Sequence, residues 1–96
     1  MPHYFLKLNP SRPTFAQDMT NEERAIMQHH VGYWSDLMNK GLVVVFGPVL
    51  DLKSVYGVGV VVVADEEQLK ELIRNDPATS INSYEYYPML AVIPKS

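Results

Sequence analysis

Two apolar, β-branched runs follow one another in the middle of the 96-residue chain, and they constrain its fold more than any other feature. The runs are LVVVFGPVL at residues 42–50 and YGVGVVVV at residues 56–63. Valine-rich segments of this length favour extended strands, and the few residues between them leave room for a turn alone. The pattern therefore predicts a hairpin, and its first strand is predicted to be buried on much of both faces.

A capped helix precedes this hairpin. Thr20 and Glu23 have the Thr-x-x-Glu spacing of a capping box, in which each side chain satisfies a free amide of the first helical turn. Gly41 suits the position after a helix end, because glycine enters a left-handed conformation without steric cost. The pattern predicts a helix from about Asn21 to Lys40. Its predicted inner face carries Ile26, Met27, His30, Val31, Tyr33, Trp34, Leu37 and Met38.

The remaining segments complete an order of β-α-β-β-α-β. Apolar and aromatic runs predict the outer strands, and clusters of proline and small polar residues predict loops. Pro48 lies inside a predicted strand, which requires an edge position or a bulge there. The predicted segments are a strand at 3–8, a loop at 9–19, a helix capped by Asp65 and ending at Arg74, a loop at 78–82 and a last strand at 84–93, which Pro88 interrupts.

This order predicts a single α+β domain over residues 1–96, a ferredoxin-like plait. In such a plait, two helices cover one face of a four-stranded antiparallel sheet. The central strands are too hydrophobic to leave the other face open to water, so we expect a second copy to cover it in a homodimer.

Composition excludes several classes of function. The net charge of −3 and the absence of a Lys/Arg cluster argue against nucleic-acid binding. The longest apolar-rich runs, about nine residues, fall far below the roughly 20 residues of a membrane span. With no cysteine, the chain has no disulfide, Cys-based zinc site, iron–sulfur cluster or thiol nucleophile. The first residues show no signal peptide, and we expect a cytoplasmic protein.

His30 is the first candidate functional residue, because the helical pattern places its imidazole on the apolar face. Two interpretations stay open: a neutral core histidine bonded within the protein, or a general acid/base, a role for which the imidazole side chain is generally suited. His29 falls on the polar face. Since adjacent helical residues point about 100° apart, the pair does not converge on one metal ion, and no metal site is predicted.

Asp76 is the candidate partner of His30. It follows the second predicted helix on that helix's inner stripe, just before Pro77. The two helices of a plait lie side by side, so this carboxylate could hold the imidazole by its Nδ1–H and stabilise the imidazolium. The alternative is an ordinary turn residue before a proline.

Two further candidates concern substrate binding. Arg12, in the proline-rich loop, is either a solvated charge or a clamp on an anionic group, for which a guanidinium is suited. The aromatic residues are either core and interface residues or the lining of a pocket that binds a ring. These residues are Tyr33, Trp34, Tyr84, Tyr86 and Tyr87.

Several motifs taken together resemble the YCII-related (YciI-like) proteins. They are the pattern HxxYWxxLxxxG from His30 to Gly41, then Gly47-Pro48, Asp76-Pro77 and Pro88-Met89. The resemblance covers nearly the whole chain. It implies a ferredoxin-like subunit paired into a dimeric α+β barrel and an active site built on a His–Asp pair. On this sequence the pair is His30 and Asp76, and Gly47 and Pro48 form a wall of the cleft. One branch of the family dehydrochlorinates a chlorinated hydroxyquinol, but no residue of this chain indicates that substrate.

The leading hypothesis is a small enzyme without a cofactor. His30 acts as general acid/base, Asp76 orients it, and Arg12 and Trp34 contact a small, cyclic or oxygenated substrate in an elimination or isomerisation. The alternative is a non-catalytic homodimer that binds a metabolite or has a regulatory role. A structural module with a buried polar pair is a third interpretation, and a quinol-type monooxygenase is a minor one.

Overall fold

The computed structural model describes residues 1–94, and its strands and long helices follow the predicted order. The elements are β1 (His3–Asn9), α1 (Phe15–Asp18), α2 (Asn21–Asn39), β2 (Val43–Val49), β3 (Tyr56–Val62), α3 (Glu66–Arg74), a 3-10 helix (Pro77–Ser80) and β4 (Ser83–Met89). All strand pairs are antiparallel, and the strand order is β2-β3-β1-β4. This is the ferredoxin-like arrangement, so the predicted α+β plait of the single chain is confirmed.

The helix ends agree with the capping signals in the sequence. The Thr20 hydroxyl accepts a hydrogen bond from the Glu23 amide at 3.1 Å, and the Glu23 carboxylate accepts one from the Thr20 amide at 2.8 Å. Gly41 has φ of 83°, the left-handed conformation predicted after α2. The Asp65 carboxylate accepts a hydrogen bond from the Gln68 amide and caps α3. These contacts satisfy amides that a helix start leaves free.

Strand alternation separates an inner sheet face from an outer one. Tyr4, Leu6 and Leu8 of β1 are buried towards the helices, and Phe5 and Lys7 lie on the opposite face. The core forms between the inner face and the apolar stripes of α2 and α3. Its buried members are Tyr4, Leu6, Trp34, Leu37, Val43, Val61, Val63 and Leu69.

Both strand prolines lie on sheet edges. Pro48 is in β2 and Pro88 is in β4, the two outermost strands. A proline there costs no ladder bond when its nitrogen faces outwards, which explains why the sheet tolerates it. The register shift of β2 falls between Val43 and Val45, before Gly47-Pro48, so the edge position and not a bulge accommodates Pro48.

Three predictions about local structure were wrong. The loop predicted at 9–19 contains α1, which Phe15 anchors by burying its ring. The loop predicted at 78–82 begins with 3-10 geometry, since Pro77 has a suitable φ for a first helical position. The last strand ends at Met89 and not at residue 93, because Met89 already pairs with His3, where β1 begins, and leaves no partner strand beyond it.

Two residues of the predicted inner face of α2 are exposed at its margins, Val31 and Met38. On the outer sheet face, Val45 and Tyr87 are each about half exposed, at 54% and 52%. No helix within residues 1–94 is long and apolar enough to cross a membrane.

Candidate active site

His30 and Asp76 meet beneath α2. The Nδ1 atom of His30 lies 2.8 Å from Oδ2 and 3.1 Å from Oδ1 of Asp76. Local structure explains why the two side chains meet. His30 is on the inner side of α2, and Asp76 caps the 3-10 helix that packs against α2. The Asp76 side chain is fully buried, whereas that of His30 is 12% exposed. The carboxylate therefore lies behind the imidazole, away from solvent.

Asp76 receives three further hydrogen bonds. The Trp34 indole Nε1–H donates to Oδ2 at 2.7 Å, the Tyr84 hydroxyl donates to the same oxygen, and the Ala78 amide donates to Oδ1 at 2.9 Å. A buried carboxylate is costly unless its oxygens are paired in this way. The four donors fix the position of the carboxylate and keep it in its anionic form.

The pKa of Asp76 reflects two opposing effects. Burial raises it, but the hydrogen bonds from His30, Tyr84, Ala78 and Trp34 outweigh burial, and the pKa lies below the ordinary value. The pKa of Tyr84 is raised, first by burial and then by its hydrogen bond to Asp76. Tyr84 therefore remains a neutral donor while Asp76 remains an anion.

This charge arrangement determines the His30 tautomer. An ionised carboxylate has no hydrogen to donate, so the short contact requires Nδ1 of His30 to carry the hydrogen. In the neutral imidazole the other nitrogen, Nε2, then has a free lone pair. Within residues 1–94, the hydrogen bonds of His30 involve Nδ1 alone. Nε2 is thus available on the opposite side of the ring as a base.

His30 also lines a cavity of about 390 Å³ between α2 and the inner sheet face. The loop after β1 and the β2–β3 hairpin contribute the remaining walls. The described lining is mostly apolar and includes no Asp, Glu, Lys or Arg. A volume of this size suits a small organic molecule. The lining residues that bear on the chemistry are Met27, His30, Trp34, Gly47, Pro48, Asn82 and Tyr84.

The structure brings most of the predicted site residues together. His30, Trp34, Gly47 and Pro48 line the cavity, and Asp76 lies directly behind His30. Trp34 has a second role that its position in the sequence did not indicate, since its ring borders the cavity while its N–H holds Asp76.

Arg12 lies elsewhere and does not line the cavity. Its guanidinium binds Asp18 at 2.8 Å and makes two hydrogen bonds with the Glu23 carboxylate, at 2.8 and 2.9 Å. The hydrogen bonds to Glu23 and then Asp18 raise the pKa of Arg12. The hydrogen bond from Arg12, followed by that from the Thr20 amide, lowers the pKa of Glu23 to about 2. Arg12 therefore ties the loop after β1 to the start of α2.

Sequence reasoning did not single out two polar groups of the site. Tyr84 was grouped with aromatics of the core or a pocket, and only its contact with Asp76 reveals its role. Asn82 falls in a predicted loop, although its side chain is buried at the cavity. Strand alternation could have placed Tyr84 on the inner face, but nothing local in the sequence indicates the direction of Asn82.

The two adjacent histidines diverge as predicted. His29 is exposed and borders a shallow surface groove with Gln28 and Asp36, away from His30. Among the described residues, no three His, Asp or Glu side chains converge in a way that could hold a metal ion.

Comparison with known proteins identifies a family and a structurally similar enzyme. The model of the YCII-related domain family matches residues 4–93. The fold is similar to that of the 5-chloro-2-hydroxyhydroquinone dehydrochlorinase TftG from Burkholderia phenoliruptrix AC1100, solved in complex with 2,5-dihydroxybenzoquinone. The TM-score is 0.64 at 18% identity, over 88% of this chain and 90% of that one. A search of curated proteins found no match. The low identity limits the structural comparison to the fold.

Proposed function

The chain belongs to the YCII-related domain family, as its motifs indicated, and we propose that it is a small enzyme that moves a proton with His30. The reaction class is elimination or isomerisation of a small organic, cyclic or oxygenated molecule. One observation carries the proposal: Nδ1 of His30 is held by a buried carboxylate, and the same residue lines a mostly apolar cavity. This is the arrangement that general acid/base catalysis requires.

The proposed step begins with a C–H bond of the bound substrate. His30 Nε2 takes the proton and becomes an imidazolium, whose charge the Asp76 anion stabilises at 2.8 Å. In an elimination, the C–H electron pair forms a double bond while the leaving group departs with its own pair. In an isomerisation, the imidazolium returns the proton to a different atom. Either way His30 is the catalytic residue, and Asp76 is a positioning residue.

The cavity walls favour this chemistry in two ways. Their apolar character excludes water from the base and strengthens its electrostatic interaction with the substrate. Trp34, Gly47 and Pro48 are among the lining residues, so the cavity offers an aromatic side chain and two small residues beside which a ring can pack. Arg12 remains a predicted substrate contact, which in this arrangement requires its guanidinium to leave Asp18 or Glu23.

The proposal includes assembly into a dimeric α+β barrel. Both long helices pack on the inner sheet face, so the outer face has no covering element within residues 1–94. That face presents Phe5, Val45, Val60 and Tyr87, and Val45 and Tyr87 are more than half exposed. A contiguous apolar sheet face is commonly buried by a second copy. A cytoplasmic location is also part of the proposal, and the lack of cysteine supports it.

Solvent deuterium exchange tests the acid/base step without requiring the natural substrate. The probe is 2-tetralone, an uncharged ring whose α-hydrogens exchange through an enol, followed by proton NMR in D₂O. We expect the wild type to accelerate exchange over buffer and His30→Gln to lose that acceleration, typically about 100-fold or more for a general base. His29→Gln, which changes the adjacent exposed histidine, is the matched control and should keep the wild-type rate.

A second probe comes from the structurally similar enzyme. The name of TftG describes loss of hydrogen chloride from 5-chloro-2-hydroxyhydroquinone, which is an elimination. Chloride release from that compound therefore tests whether this chain performs the same class of step. Binding of both probes with no turnover of either would contradict the enzyme proposal and favour the alternative, a metabolite-binding dimer.

A further inference from the structure

Asn82 is a buried amide at the cavity that the proposed proton transfer does not use. It lies directly before β4 and is only 9% exposed, and its side chain lines the cavity. Its backbone amide donates to the Ala78 carbonyl at 2.9 Å, which closes the turn between the 3-10 helix and β4. The backbone N–H is therefore satisfied without the side chain.

The hydrogen bonds of Asn82 fix the direction of its amide. The Ser11 backbone N–H donates to Oδ1 at 3.2 Å, so the oxygen faces the loop after β1 and Nδ2 faces the other way. Nδ2 lies 3.6 Å from the thioether sulfur of Met27. Within residues 1–94, this weak acceptor is the one hydrogen-bond partner of a group that carries two hydrogens.

The position of Met27 places this donor near the proposed base. Met27 and His30 are three residues apart on α2, so their side chains are neighbours on one helical face, and both line the cavity. The NH₂ group of Asn82 therefore lies on the same side of the cavity as His30. A buried amide with such a poor partner gains a full hydrogen bond when a ligand brings an oxygen to it.

We propose that Asn82 is a substrate-contact residue, and that its side-chain N–H donates to the carbonyl oxygen of an uncharged carbonyl compound bound beside His30. This inference rests on the proposed function and names its substrate class. The absence of charged side chains from the described lining favours an uncharged molecule, because an anion would lose its hydration without gaining a counter-charge.

The donor also has a defined part in the proton transfer. His30 Nε2 takes the proton from the carbon next to the carbonyl group, and the C–H electron pair moves through the new C=C bond onto the carbonyl oxygen. The Asn82 N–H stabilises the resulting enolate oxygen, where negative charge develops. Return of the proton from His30 to carbon or oxygen completes the step, so no oxidant, reductant or other reactant is needed.

The test compares two ligands of the same shape, 2-tetralone and tetralin, of which only the first has the oxygen. Affinities are measured by fluorescence of Trp34, the single tryptophan, which lies at the cavity. In Asn82→Leu, we expect the ratio of 2-tetralone affinity to tetralin affinity to fall about 3- to 10-fold, the usual value of one hydrogen bond. A general change in the cavity would alter the affinities for both ligands alike and would leave their ratio unchanged.

A second variant separates ligand contact from a structural role in the loop. Asn82→Asp keeps an oxygen for the Ser11 amide but removes the donors, so at a pH where the new carboxyl is ionised its ratio should fall as in Asn82→Leu. An unchanged ratio in Asn82→Leu would overturn the proposal. A fall in Asn82→Leu that is absent in Asn82→Asp would also overturn it, because the side chain would then act through the loop.

Failure of this inference differs from failure of the proposed function. If the wild type does not bind 2-tetralone, the assignment of Asn82 to carbonyl recognition is wrong, whereas turnover of another probe would leave the acid/base proposal standing. If the ratio falls in both variants but His30→Gln exchanges deuterium as fast as the wild type, Asn82 recognises the carbonyl oxygen and the catalytic proposal is wrong.

Discussion

His30 and Trp34, one helical turn apart on α2, donate to the same oxygen of the Asp76 carboxylate. The distances are 2.8 Å from His30 Nδ1 and 2.7 Å from Trp34 Nε1 to Oδ2. The spacing of four residues places both rings on one face of the helix. Trp34 therefore holds the carboxylate that holds the imidazole, in addition to lining the cavity.

Trp34→Phe should separate these two roles of the tryptophan. The substitution keeps an aromatic ring and removes the donor to a buried anion, which we expect to lower the unfolding free energy by about 1–3 kcal/mol. It should also slow deuterium exchange of 2-tetralone, since Asp76 loses part of what fixes it. Urea unfolding and the exchange assay measure the two effects. Loss of stability without any change in exchange would show that the indole N–H does not position the dyad.

Asp76→Asn should impair both stability and proton transfer. The amide is uncharged and cannot stabilise an imidazolium. Its NH₂ group would also replace an oxygen that accepts hydrogen bonds, and would face groups that themselves donate. We expect an unfolding free energy lower by about 1–3 kcal/mol and an exchange rate near that of His30→Gln. Asp36→Asn, which changes an exposed carboxylate of α2, is the matched control and should change neither quantity. An exchange rate equal to the wild type would contradict the positioning role.

The pH dependence of stability tests the ionisation of Asp76. Its pKa in the folded protein lies below the ordinary value of 3.8, so its contribution to stability is fully present above pH 3.8 and is lost as pH falls through the folded-state pKa. The stability difference between wild type and Asp76→Asn should therefore narrow on acidification below this value. Urea unfolding across the acidic range measures it, and a constant difference would indicate that Asp76 is not ionised in the folded protein.

Sequence patterns predicted the fold where a local signal was strong. The capping box at Thr20 and the left-handed Gly41 fix the ends of α2, and the alternation in β1 fixes which face is buried. Patterns failed where a tertiary contact decides the local structure. Burial of Phe15 forms α1 in a proline-rich loop, and the start of β1 at His3 limits the length of β4.

The candidate site also has a part that the sequence predicted and a part that it did not. Helical period alone placed His30 inward and His29 outward, and chain order brought Asp76 to His30, so the pair was predictable before the structure. The donors around it were not, because the contacts of Tyr84 and Asn82 depend on how β4 docks beside the 3-10 helix. Arg12 was predicted as a substrate contact, but its loop folds it onto Glu23.

Gly32→Ala should stabilise the protein without affecting the site. Gly32 is exposed in the middle of α2, and a Cβ atom there would meet nothing within 4 Å. Alanine restricts the unfolded chain and favours the helix, so we expect an unfolding free energy higher by about 0.5–1 kcal/mol. Thermal and urea unfolding measure the gain, and 2-tetralone exchange at the wild-type rate is the accompanying control. A loss of stability would mean that this position makes a contact absent from the single chain.

Val45→Lys should disrupt the proposed dimer. Val45 is 54% exposed on the outer sheet face, and a lysine there would place charge inside an apolar interface. Light scattering during size-exclusion chromatography should report a dimer for the wild type and a monomer for the variant. Asn39→Lys, which adds the same charge at the exposed end of α2, should remain a dimer. A monomeric wild type would contradict the proposed assembly.

The ring nitrogen shifts of His30 test the central claim most directly, because the claim depends on which nitrogen carries the hydrogen. Long-range proton–nitrogen NMR of ¹⁵N-labelled protein distinguishes a protonated ring nitrogen from an unprotonated one, with the exposed His29 as an internal reference. In the neutral imidazole we predict hydrogen on Nδ1, towards Asp76, and a free lone pair on Nε2. Hydrogen on Nε2 in the neutral ring would contradict the account, since His30 would then have no base to offer a bound substrate.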